Sequence, residues 1–183
     1  MEYQDTVRLK DGRTCVLRAA SGEDAEAVCG NFSLTHAQTD FLLSYPEENS
    51  YDADRERQFL TDKKNSADEV ELCAVVDGRI VGTAGLESLG KKDKVRHRAE
   101  FGISIEREYW GLGIGRALLA ACIECAKRAG YAQLELDVVG ENARAIRLYQ
   151  SMGFTEYGRN PRGFRSRNTG WQELVLMRLE LSE

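Results

Sequence analysis

The first half of the chain alternates short apolar runs with turn signals. Residues 6–9 and 15–18 place Val7, Leu9, Val16 and Leu17 around Asp11-Gly12, and predict an opening strand or hairpin. A helix is predicted next. Ser21 is placed to cap it, Asp24 stands where a capping box usually carries Glu, and Ala25, Val28 and Cys29 form a short apolar stripe. From residue 31 to 49 no period holds. Phe32, Phe41, Leu42, Leu43 and Tyr45 are scattered among polar residues, and the expectation is an irregular stretch packed as a lid or a wall. Residues 52–64 are highly charged yet contain Phe59 and Leu60, which suits a helix lying on the surface. Residues 70–76 and 80–86 flank Asp77-Gly78, a favoured two-residue hairpin turn, and predict antiparallel strands.

A charged run over residues 91–98 leads into AEFGISI, where Phe101, Ile103 and Ile105 alternate with Glu100, Gly102 and Ser104. One face of this strand is apolar and the other small or polar, which leaves room for a ligand along the backbone. A helix is predicted from about Gly113 to Ala129, with Gly130 as its stop and residues 134–139 as the next strand, and such crossovers join parallel strands. Asn142 is placed to cap a helix carrying Ala145, Ile146, Tyr149 and Met152, which Gly153 ends. Residues 155–157 and 171–181 read as closing strands joined by a loop rich in Arg and Gly. The pattern is that of a mixed α/β sheet in a single domain over residues 1–183.

Composition narrows the class. The 183 residues are 42% hydrophobic and 30% charged, an ordinary globular balance, and long enough to bury a core without disulfides or metals. A formal charge of -5 and the lack of a basic stripe speak against non-specific binding to nucleic acid. MEYQDTVRLK lacks the pattern of a signal peptide and no apolar run approaches membrane-spanning length, so the expectation is a cytoplasmic protein with no membrane partner. Five cysteines and no secretory signal predict reduced thiols. Cys122 and Cys125 form a C-x-x-C, but they share the apolar stripe of Ile114, Leu118 and Ala121 and have no second ligand pair at zinc spacing. They are read as buried small residues, and no metal is expected.

The chemistry gathers at Gly111, Gly113 and Gly115, which alternate in a loop opening the helix, with Arg116 just behind. Glycine lets backbone approach a ligand, the first helical amides lack internal acceptors, and the positive end of the dipole favours an anion. A tight strand-to-helix turn with no ligand is the other reading. A Walker A loop is excluded because Gly115-Arg116-Ala117 stands where Gly-Lys-Ser/Thr is required. A Rossmann fingerprint fails as well. Arg116 holds the third-glycine place counted from Gly111, and Leu118 holds it counted from Gly113.

The segment Trp110-Gly111-Leu112-Gly113-Ile114-Gly115 resembles the central motif of the GCN5-related N-acetyltransferase (GNAT) family, whose commonest first residue is Arg or Gln rather than Trp. ENARAIRLYQSMGF, residues 141–154, is similar to the family's second signature, and the resemblance spans about residues 70–179. It implies a GNAT-like α+β domain with a central, mixed, mostly antiparallel twisted sheet flanked by helices. It also implies an enzyme that moves an acetyl group from acetyl-CoA to an amine by direct attack, through a tetrahedral intermediate. Backbone amides of Leu112, Gly113, Ile114, Gly115, Arg116 and Ala117 would hold the pyrophosphate, and Ile103, Ser104 and Ile105 would pair with the pantetheine arm.

The same resemblance makes Asn142 a cofactor-holding residue and Tyr149 the acid at the leaving sulfur. Helical spacing of seven puts the two near one face. Without a ligand, Asn142 only caps and Tyr149 only fills the core. Glu100 matches the place of a glutamate base in some members. A solvated carboxylate paired with Arg96 or Arg98 and an ordered water as base are the alternatives, and His36 and His97 are lesser candidates. Phe32, Phe41 and Tyr45 lie where the family shapes its acceptor pocket, with plain packing as the alternative reading. The cluster Arg159, Arg162, Arg165 and Arg167 suits either an anionic group or a solvated loop. The acceptor is expected to be a primary amine of a small molecule, with a protein N-terminus or lysine as the alternative. An inactive acyl-CoA-binding regulatory module is the reading from another class, and a homodimer stays open because sheet edges in such folds often pair.

Overall fold

The computed structural model describes residues 1–48 and 52–181, so Asn49, the end of the predicted irregular stretch, lies outside the described residues. Among the described residues eight strands form one sheet in the order β1-β2-β3-β4-β5-β6-β8-β7. β1 (Gln4–Arg8) and β2 (Thr14–Ala19) make the predicted opening hairpin. β3 (Val70–Val76) and β4 (Arg79–Ser88) turn through Asp77 and Gly78, both at positive φ (50° and 78°), as the primed hairpin turn requires. β5 (Arg98–Ile105) is antiparallel to β4 and parallel to β6 (Gln133–Val139), reached through α3 (Ile114–Arg128). This is the crossover predicted from sequence, and every other strand pairing among the described residues is antiparallel. α4 (Ala143–Ser151), β7 (Thr155–Ser166) and β8 (Gly170–Glu180) complete the chain.

Alternation along the strands divides the core. Leu72, Ala74, Ala84, Leu86, Ala99 and Phe101 belong to one apolar cluster with Leu118, Leu119, Cys122 and Cys125 of α3. Each leucine there is 0% exposed, worth about 2 kcal/mol of transfer free energy apiece. The opposite face carries α1 (Ala25–Gln38) and α2 (Ala53–Asn65) over a smaller cluster of Ala20, Ala25, Val28, Leu60, Cys73 and Ile80. Cys122 and Cys125 are buried, as their stripe predicts.

Two expectations about local structure are corrected. α1 continues to Gln38, through residues expected to be irregular. Its inward positions after Val28 are polar: Asn31, Thr35 and His36 are buried, with Asn31 donating to Glu106 and Thr35 and His36 bonded to the Phe32 carbonyl. Hydrogen-bonded polar side chains thus replaced the apolar period on which the reading relied, with Asn31 Oδ1 left without a partner among the described residues. Likewise β7 runs to Ser166 where an Arg- and Gly-rich loop was expected. It is an edge strand with register shifts at 156–158 and 160–164, which break the alternation that marks a strand. Its tip is pinned to the segment after α1. Ser166 Oγ donates to Asp40 at 2.5 Å, and the backbone N–H of Arg167 donates to the Tyr45 hydroxyl at 2.7 Å.

Candidate active site

β5 and β6 pair over only three residues, Arg98–Glu100 against Gln133–Glu135, and then part. Beyond Glu100 the β6-facing edge of β5 therefore borders a cleft. A cavity of about 320 Å³ lies there, lined by Ile103, Ser104 and Ile105, by Gly111, Gly113, Gly115 and Arg116 of the loop, and by Asn142, Arg144 and Tyr149. Gly111 (φ 80°) and Gly113 (φ 105°) adopt the left-handed backbone that only glycine takes without strain. The first intrahelical bond of α3 is Ala117 N–H to the Gly113 carbonyl. The amides of Ile114, Gly115 and Arg116 therefore precede any internal acceptor. Gly115 permits close packing: a Cβ there would sit 3.3 Å from Leu148 of α4 and 3.5 Å from Ile105 of β5.

Asn142 and Tyr149 line the same cavity, as their spacing predicts. Asn142 caps α4 by accepting from the Ala145 N–H at 3.3 Å, which engages only Oδ1 and leaves the side-chain NH₂ for a ligand. Tyr149 is 6% exposed and meets Phe101 edge-on at 6.2 Å between ring centroids. Burial pushes its phenol above the ordinary tyrosine value, so it stays protonated. Of the remaining loop residues, Ile114 buries its side chain in the core while Leu112 and Ala117 pack against it, so these three can offer only backbone. Trp110 donates its indole N–H to the Ile105 carbonyl at 2.7 Å and carries the Arg144 guanidinium 3.6 Å over its ring. A cation thus stands beside the loop where the commoner motif has Arg, a contribution from α4 that sequence reasoning missed.

A second cavity, of about 530 Å³, lies between the sheet and the helices α1 and α2, and shares Leu42, Ile103 and Ser104 with the first. Strand register arranges its floor. Glu71, Gly85 and Gly102 form one row across β3, β4 and β5, Thr83 and Ser104 the row on one side, and Glu87 and Glu100 the row on the other. Glu100 therefore faces this cavity and not the cofactor-like cleft. Neither arginine named as its partner pairs with it: Arg98 binds Glu135, with Nη2 to Oε2 at 2.7 Å, and Arg96 reaches Asp93 at 3.4 Å. Desolvation, with Asp137, Glu87 and Glu135 adding to it, raises the Glu100 carboxyl above the usual range.

Glu71, which sequence reasoning passed over, lies with Oε2 at 2.7 Å from where a Cβ on Gly85 would be. Burial pushes it up to about 7 against the opposing hydrogen bond from Thr83. Its signal was available, since it is the one charged residue inside the apolar run VELCAVV. His36 also lines this cavity, stacked on Phe32 at 3.6 Å with burial lowering its pKa. His97 is exposed and borders neither cavity.

Phe32 borders the second cavity and Phe41 the first, whereas Tyr45 borders neither and holds the β7–β8 tip. The arginine cluster also stays outside both. Arg159 binds Glu156 and Glu173, Arg162 and Arg165 each lie 5.4 Å from the Trp171 ring, and Arg167 pairs with Glu47 and Glu48. Among the described residues no group of His, Cys, Asp and Glu is arranged to hold a metal, and no helix is long and apolar enough to cross a membrane.

Comparison with known proteins agrees with this architecture. An acetyltransferase of the GNAT family from Streptococcus pneumoniae superposes with a TM-score of 0.87 at 27% identity, covering 92% of this chain and 99% of that one. The L-methionine sulfoximine/L-methionine sulfone acetyltransferase of Salmonella typhimurium is 31% identical over 113 residues, 61% of this chain and 65% of that protein. The ribosomal protein bS18-alanine N-acetyltransferase of Escherichia coli is 37% identical over 82 residues, 45% of this chain and 55% of that protein. The match thus spans less than two thirds of either curated relative. The family model described as "Acetyltransferase (GNAT) family" matches residues 34–154, which takes in the C-terminal end of α1, nearly all of the cleft lining and both signature segments. The chain belongs to the acetyltransferase (GNAT) family.

Proposed function

We propose that this chain transfers an acetyl group from acetyl-CoA to a primary amine of a small molecule. Members of the family are N-acetyltransferases that use acetyl-CoA as co-substrate. One observation carries the reading. The cleft opened where β5 leaves β6 ends at the glycine loop on one side and meets a second cavity at Ile103 and Ser104 on the other. A donor and an acceptor can therefore approach a common point from opposite directions, which is the proximity a bimolecular transfer requires.

In this reading the amides of Gly113, Ile114, Gly115 and Arg116 receive the pyrophosphate, with Arg144 as a nearby cation and the Asn142 side-chain NH₂ as a donor. The free edge of Ile103, Ser104 and Ile105 pairs with the pantetheine arm. The amine nitrogen attacks the thioester carbonyl carbon, the tetrahedral intermediate collapses, and the C–S bond breaks with its electron pair on sulfur. Tyr149 donates to that sulfur as charge develops. A phenol kept protonated by burial suits this task at every working pH. Glu100 takes the proton from the attacking amine on the acceptor side.

The test combines calorimetric titration of acetyl-CoA with release of free thiol on addition of amines and peptides. Binding followed by amine-dependent thiol release is the expected result. Binding with no amine-dependent release would reduce the chain to an acyl-CoA-binding module, and release with peptides alone would move the acceptor to the protein class.

A further inference from the structure

The acceptor side of the site has a one-sided chemistry. Its cavity is bordered by Glu56, Glu71, Glu87 and Glu100, and by no lysine or arginine among the described residues. Lys63 lies behind one of them, its Nζ shared between Glu87 at 3.1 Å and Glu69 at 3.0 Å, which leaves Glu56, Glu71 and Glu100 without an ion pair among the described residues. A second observation is independent of the carboxylates. His36 is 93% buried, and because its Nδ1 meets the Phe32 carbonyl at 2.8 Å it must carry its proton there. Nε2 is then a bare lone pair. It has no protein partner among the described residues, and the ring borders the cavity. The imidazole therefore adds an acceptor to a wall already made of acceptors.

We propose that the amine acceptor is a diamine or polyamine whose distal ammonium group is held by Glu71. The proposal rests on the acetyl-transfer reading above. Glu71 and the acetyl-delivery point at Ser104 are separated by two strand spacings across the sheet and two residues along it, roughly 12 Å between backbone positions. The Glu71 carboxylate lies over Gly85, and beyond it Gly102 floors the gap, where a Cβ would meet nothing within 4 Å. An alkyl chain can lie on that floor with one nitrogen at Ser104 and another against the Glu71 carboxylate. A free amino acid fits poorly, because its own carboxylate would face Glu56, Glu71 and Glu100, while Lys63 is already shared between Glu87 and Glu69.

The experiment compares 1,4-diaminobutane and spermidine with 1-aminobutane and L-methionine at saturating acetyl-CoA. A charge-assisted contact of this kind predicts kcat/KM for the di- and polyamines roughly 10- to 100-fold above the other two. In Glu71→Gln the preference for 1,4-diaminobutane over 1-aminobutane falls toward one, through a rise in KM for the diamine. Equal use of 1-aminobutane, a preference for L-methionine, or a diamine preference that survives Glu71→Gln overturns the proposal and leaves acetyl transfer intact. Thiol release with none of the amines, although acetyl-CoA binds, overturns the transfer reading and this one with it. The wild-type comparison decides whether or not the variant folds.

Discussion

The roles proposed for Tyr149 and Glu100 set them at one reaction from two different cavities, and each role makes a separable prediction. Tyr149→Phe removes the proposed donor to sulfur while keeping the ring against Phe101 and Phe154. It is expected to lower kcat by about 100-fold with acetyl-CoA affinity within about twofold of wild type, by steady-state kinetics and calorimetry. Full turnover in the variant would remove Tyr149 from the mechanism. Glu100 must be ionised to accept a proton. Because burial and neighbouring carboxylates raise its pKa, kcat is expected to fall as pH drops through a value above the ordinary glutamate range. Glu100→Gln should lower kcat by about 100-fold and erase that acid limb, and an unchanged profile would point to another base.

Glu71 predicts an effect on stability instead. Its folded pKa of about 7 exceeds the unfolded value, so the folded state binds the extra proton and wild-type stability falls as pH rises from about 4.5 to 7. Glu71→Gln is therefore expected to raise Tm at pH 8 by several degrees, about 2–4 °C for each kcal/mol relieved, and to leave it near wild type at pH 4. No gain at pH 8 would mean that the buried carboxylate costs the fold nothing.

The loop before α3 was readable because its chemistry is local. Glycines at alternate places, a helix behind them and the failure of two other nucleotide patterns all lie within a few residues. The structure adds the reason for each glycine: Gly111 and Gly113 for their left-handed backbone, Gly115 for contact with Leu148 and Ile105. Gly113→Ala places a Cβ at φ 105°, a strain of about 1–2 kcal/mol. It is expected to weaken acetyl-CoA binding at least tenfold by calorimetry with the amine KM little changed, and unaltered affinity would count against the loop as the pyrophosphate site. α1 and β7 were misread for the opposite reason. Their order depends on distant partners, Glu106 for Asn31 and Asp40 for Ser166, which no window of neighbouring residues contains.

Across the whole molecule, the mixed sheet, its one parallel pair and the crossover joining that pair followed from alternation and from the helix between residues 113 and 129. What sequence could not supply was the point where β5 and β6 part, since register between strands some thirty residues apart leaves no local trace. That parting creates the cleft, and register across β3, β4 and β5 brings Glu71 and Glu100 onto one floor. The glycine loop and the Asn142–Tyr149 segment were therefore visible as motifs, while the cavity carrying Glu71 and Glu100 emerged only from pairing.

The account is tested most directly by a crystal structure of the chain with bound acetyl-CoA. The pyrophosphate is expected within hydrogen-bonding distance of the amides of Gly113, Ile114, Gly115 and Arg116, the pantetheine arm along Ile103, Ser104 and Ile105, and the sulfur beside the Tyr149 hydroxyl. A cofactor seated anywhere other than the cleft between β5 and β6, or one whose acetyl group points away from the cavity floored by Gly85 and Gly102, would contradict it.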